Sequence, residues 1–81
     1  MSGTIYEQVR EMAADVFMVE REQVNAETSP QSLESWDSVQ HLSLVLALEE
    51  KFALQFSPEE IDQMQSIGQV VGLVERKLGQ A

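Results

Sequence analysis

The residues best suited to chemistry in this 81-residue chain are Asp37 and Ser38. Asp37 is a good helix N-cap, because its carboxylate can accept from the orphan N–H groups of a first turn, and Gln40 stands three residues on, as a capping box requires. Ser38 then falls at the first helical position and is the candidate reactive group. Other chemistries are excluded by composition. The chain has no Cys, so it can form no disulfide, thiolate metal site or cysteine nucleophile, and any thiol chemistry must be imported. His41 is the only histidine, which removes two-histidine metal sites and leaves a Ser–His–Asp triad without support on so small a scaffold. The acids lack the spacing of a calcium loop. No pair of groups suited to nucleophile and base is visible, and no enzyme is expected.

The elements that must position Ser38 follow from periodicity. After Asp37, apolar side chains recur at 39, 42, 45, 46, 48 and 52, and Leu44 widens the stripe until only a narrow face is polar. Most of the run from Leu42 to Leu48 is expected in the core, and His41 on the exposed side. Ahead of it, Thr4 and Glu7 open a helix of about fifteen residues carrying Ile5, Val9, Met12, Ala13, Val16 and Phe17, with Tyr6 left to water. From about Val19 to Asp37 the pattern stops, and Asn25, Thr28, Ser29, Pro30 and Ser32 mark a long loop, which Val24, Leu33 and Trp36 would anchor. A short helical turn over Ser29 to Glu34 is compatible with the sequence. Ser57-Pro58-Glu59-Glu60 starts a short third helix containing Ile61 and Met64. Ser66 and Gln69 begin a last helix with Ile67, Val70, Val71, Val74 and Leu78, in which Gly68 and Gly72 permit close packing or mild bending; Gly79 is read as its stop. The expectation is an all-α, small four-helix bundle with a long first loop and a short third helix, one domain over residues 1–81.

Five Lys and Arg against fourteen Asp and Glu give a net charge of −9. Such a surface repels nucleic acid and anionic lipid and favours partners with basic patches. Between Glu22 and Glu50 there are acids and no Lys or Arg, so the end around Ser38 is expected to be the most negative. No targeting segment and no membrane span is expected, the chain is read as cytoplasmic, and a monomer is anticipated.

The segment from Trp36 to Phe56 resembles the modification site and second helix of the acyl carrier protein family, whose hallmark is Asp-Ser-Leu opening a helix that runs on to Leu-Glu-Glu-x-Phe. Here these read Asp37-Ser38-Val39 and Leu48-Glu49-Glu50-Lys51-Phe52. The resemblance extends over nearly the whole chain, in helix order, loop length and the acidic third helix. It implies a fold of the acyl-carrier type and a 4'-phosphopantetheine arm, transferred from coenzyme A to Ser38 by a phosphopantetheinyl transferase, carrying acyl groups as thioesters. An anion at that helix start would meet unpaired N–H groups and the positive dipole end. No metal site is expected. By the same resemblance Asp37 sits beside the transferase, and acyl-loading and acyl-transferring enzymes dock on Trp36, Val39, Leu46, Glu49, Glu50, Glu59, Glu60 and Asp62. For Trp36, anchoring the loop competes with docking. The bundle interior is expected to shelter a short or medium acyl chain. The sequence departs from the commonest pattern at three places. Val39 replaces Leu, Gln40 and Ser43 stand where fatty-acid-synthesis carriers generally have acids, and Trp36 replaces a small residue. These departures favour a specialised lipid, polyketide or related pathway. The alternatives are an aminoacyl or peptidyl carrier, or an unmodified carrier-like interaction module.

Overall fold

A computed structural model describes residues 4–79, in which four helices, α1 (Ile5–Phe17), α2 (Ser38–Phe52), α3 (Pro58–Asp62) and α4 (Ile67–Gly79), enclose one apolar core. Helix starts fall where local capping chemistry puts them. Thr4 and Glu7 satisfy each other's backbone N–H groups ahead of α1, and Ser57 and Glu60 do the same for α3, with Pro58 at its first position. At α2 only half of the expected box forms: Asp37 accepts from the Gln40 N–H at 2.9 Å, without the reciprocal bond. At α4 Ser66 accepts from the Gln69 N–H, while the Gln69 side chain reaches past it to the Gln65 N–H. Helices α1 and α2 end on Met18 and Ala53, both left-handed at φ 59° and 55°, whose N–H groups close back onto the last turn.

The core is built from Val9, Ala13 and Phe17 of α1, Leu44, Val45 and Leu48 of α2, and Ile67, Val70, Leu73 and Val74 of α4. Helix α1 packs on both α2 and α4. Tyr6 packs partly against this core rather than standing free in water. The long loop is held by specific bonds. Val24 is fully buried, and Arg10 Nε donates to the carbonyls of Val24 and Arg21 at 2.7 and 3.0 Å. The helical turn in the loop is a 3-10 turn at Arg21–Gln23, while residues 29–35 form turns and no helix. Thr28 is also buried; its Oγ1 accepts from the Asn25 N–H. The loop then caps α4 with its own backbone, since the Ile67 and Gly68 N–H groups donate to the carbonyls of Thr28 and Ala26 at 2.9 and 2.8 Å. Two orphan donors of a helix start are thereby satisfied by a segment forty residues away in sequence, in round terms.

The periodicity of α2 misassigns one face. Leu44, Val45 and Leu48 are buried, but Val39, Leu42 and Leu46 are 70%, 55% and 65% exposed. Positions 39, 42 and 46 share a face at helical spacing, so Leu42 belongs to an outward apolar stripe and not to the core.

Candidate functional site

Ser38 occupies the first residue of α2 and is exposed. Its hydroxyl makes no hydrogen bond among the described residues. The N–H groups of Ser38 and Val39 have no carbonyl four residues back inside the helix, while the next two are taken: Gln40 N–H by the Asp37 carboxylate and His41 N–H by the Asp37 carbonyl at 2.8 Å. An exposed alcohol therefore stands beside two unpaired donors at the positive end of a fifteen-residue helix. Asp37 is the cap that fixes where this helix begins.

Beside Ser38 runs an open groove of about 570 Å³, lined by Pro30, Trp36, Asp37, Ser38, His41, Leu42, Ile61, Asp62 and Met64, and lying along the seam between α2 and α3. Its floor is set by a pairing that periodicity does not show. Trp36 is only 2% exposed and stacks on Phe17 with ring centroids 5.0 Å apart. The Trp36 indole N–H donates to His41 Nδ1 at 2.9 Å. Because indole nitrogen can only donate, Nδ1 must accept, which places the imidazole proton on Nε2, where it is donated to the Ile61 carbonyl at 3.0 Å. The expectation that His41 lies on the free side of α2 is thus corrected: both ring nitrogens are engaged. Of the two readings of Trp36, the structure shows the anchor and not the docking patch. Its side chain is 2% exposed and anchors the loop, leaving only an edge against the groove.

Of the acids expected on the partner face, Glu50, Glu59 and Asp62 are exposed. Glu49 and Glu60 are partly withdrawn into the fold. Glu49 Oε2 accepts from the Phe56 N–H at 2.9 Å and holds the α2–α3 connection. Glu60 accepts from Lys77 Nζ at 2.9 and 3.0 Å with both oxygens, linking α3 to α4; that ammonium, then the Ser57 N–H, holds its carboxyl below the usual glutamate range. Among the described residues no group of three His, Cys, Asp or Glu side chains could hold a metal ion, and no helix is long and apolar enough to cross a membrane.

The family model for the phosphopantetheine attachment site matches residues 7–74. The chain belongs to the acyl carrier protein family. An acyl carrier protein of Akkermansia muciniphila is 33% identical over 77 residues, covering 95% of this chain and 96% of that protein. One from Coprothermobacter proteolyticus is 27% identical over 74 residues, covering 91% and 90%. In structure, the solution NMR structure of a holo acyl carrier protein from Geobacter metallireducens superposes with a TM-score of 0.83 at 25% identity, over 93% of this chain and 86% of that one. Membership makes the chain a phosphopantetheine-bearing, non-catalytic acyl carrier, and the all-helical bundle with its long first loop is the fold it shares. The residues present fit that cofactor: the free Ser38 hydroxyl offers an attachment atom, and the two unpaired N–H groups offer places for a phosphate oxygen.

Proposed function

We propose that Ser38 is the attachment residue, and that the chain carries acyl intermediates for a specialised lipid, polyketide or related pathway. The observation that carries this reading is the position of Ser38. Its hydroxyl is exposed and unpartnered at the first residue of α2, with unpaired donors on one side and an apolar groove on the other. When bound, the phosphopantetheine arm supplies the thiol that this cysteine-free chain lacks, and acyl groups ride on it as thioesters. The protein's own residues do the rest. Asp37 fixes the start of α2 and so the direction of the Ser38 hydroxyl, and the helix end favours the phosphate. The groove walls Leu42, Ile61 and Met64 give the arm an apolar surface to lie against.

A phosphopantetheinyl transferase and the enzymes that load and unload the arm are the partners this reading requires. The surface offered to them combines the apolar stripe Val39, Leu42 and Leu46 with the acids Glu50, Glu59 and Asp62, suited to an apolar cleft rimmed by Lys and Arg. A single carrier domain over residues 1–81, acting in the cytoplasm, completes the reading. The test is incubation with coenzyme A and a broad-range transferase followed by intact-mass measurement. Wild type should gain the mass of one arm and Ser38→Ala none. An unmodified wild type alongside a modified control carrier would instead leave an interaction module that presents α2 alone.

A further inference from the structure

The groove beside Ser38 ends where Trp36 and His41 begin. Trp36 fills the space between the loop, α1 and α2, with its outer edge against the groove and its inner face against Phe17. His41 completes the closure, because its ring stacks over Trp36 with centroids 6.0 Å apart and bridges the indole N–H to the Ile61 carbonyl at the end of α3. Met64, 2% exposed, fills the next position along the same seam. To pass between α2 and α3, a chain carried on Ser38 would have to displace a buried indole and separate two hydrogen bonds, one of them from a donor on a side chain only 2% exposed.

We infer that Trp36 and His41 form a plug and latch that shut the bundle interior to the carried group, so that the cargo stays in the open groove and a long alkyl chain gains no shelter that a short acyl group lacks. This rests on the reading of Ser38 as the attachment residue and replaces the expectation that the interior shelters an acyl chain. The physical contrast is large. Each methylene that enters an apolar core is worth about fourfold in the balance between buried and exposed forms, so a long chain gains much from an open interior and little from a shallow groove. With the seam closed, that gain is withheld, and the thioester remains equally open to water and enzymes whatever its tail.

The experiment loads wild type, Trp36→Leu and His41→Ala with acetyl, butyryl, octanoyl and dodecanoyl arms, using the acyl-coenzyme A of each length and a broad-range transferase. Two quantities are read from each: the rate of thioester cleavage by hydroxylamine, and the thermal unfolding midpoint relative to the unacylated arm. In wild type the cleavage rates should agree within about twofold and the midpoint should not climb with chain length. In either variant that retains its helical circular dichroism, dodecanoyl cleavage should slow by about tenfold or more relative to acetyl, the effect of fewer than two shielded methylenes. Protection that grows with length in wild type overturns the inference, and does so even if both variants fail to fold. A flat series in a folded variant also overturns it, by showing that another group is the barrier. Failure to load Ser38 at all removes the carrier reading and the inference together, and is visible first, in the mass.

Discussion

Two serine hydroxyls three residues apart have opposite surroundings. Ser38 Oγ is exposed and free, whereas Ser35 Oγ is buried with no hydrogen-bond partner among the described residues. A buried hydroxyl without a partner costs about 1–3 kcal/mol. Ser35→Ala should therefore be neutral or stabilising, by up to about 1 kcal/mol, as read from urea unfolding at constant m-value. Loss of stability would mean that the hydroxyl has a partner after all. Trp36 shows the same logic with the sign reversed: its one donor is satisfied by His41, and that pairing holds the site's floor in place. The place of Ser38 at the start of α2 was legible in the sequence because it depends on Asp37 next door, and capping is local chemistry. The Trp36–His41–Ile61 chain was not, because its last link spans twenty residues and joins a ring nitrogen to a backbone carbonyl, which leaves no mark in residue type.

Among the elements, α4 begins where the long loop ends its work. A Cβ on Gly68 would lie 3.0 Å from the Ala26 carbonyl oxygen, the same atom that accepts from the Gly68 N–H at 2.8 Å, so the carbonyl cannot move off without lengthening that bond. Gly72 is exposed and a Cβ there meets nothing within 4 Å. Helix propensity alone favours Ala over Gly by about 1 kcal/mol at either position. Gly72→Ala should therefore stabilise the protein by about that amount, while Gly68→Ala should show no gain or a loss, as measured in paired denaturant titrations. Equal gains at both sites would show that the loop does not seat on α4. The same contrast marks the reach of sequence patterning. All four helices were visible from their caps and apolar spacing, but α2 is apolar around most of its circumference, so periodicity could not tell the buried face of Leu44, Val45 and Leu48 from the exposed stripe of Val39, Leu42 and Leu46. Which face is covered depends on where α1 and α3 sit, and that is a property of the assembled bundle.

Across the whole molecule, charge acts in two ways. Inside, Glu60 bonded to Lys77 ties α3 to α4, and its lowered pKa gives the pair a defined pH window. A carboxyl that ionises more readily folded than unfolded adds stability above its unfolded pKa and loses it as the pH falls through the folded value. Wild type should thus be more stable than Glu60→Gln near pH 7, with the gap closing as the pH falls below the ordinary glutamate range, as followed by chemical denaturation from neutral into acid. A gap that persists in acid would assign the effect to packing. Outside, the net charge of −9 attracts basic partners, and at physiological salt this attraction is screened beyond about 8 Å. Two parts of the presented surface should therefore separate under salt. In the proposed docking surface the acids Glu50, Glu59 and Asp62 would act through exposed charge, so the transferase KM for this chain should rise as NaCl goes from about 50 to about 500 mM. The stripe Val39, Leu42 and Leu46 would act in that surface by removing apolar area from water, so Leu46→Ala should raise KM by a similar factor at every salt concentration. If the Leu46→Ala factor instead vanished at high salt, the stripe would lie outside the contact, and docking would rest on the acids alone.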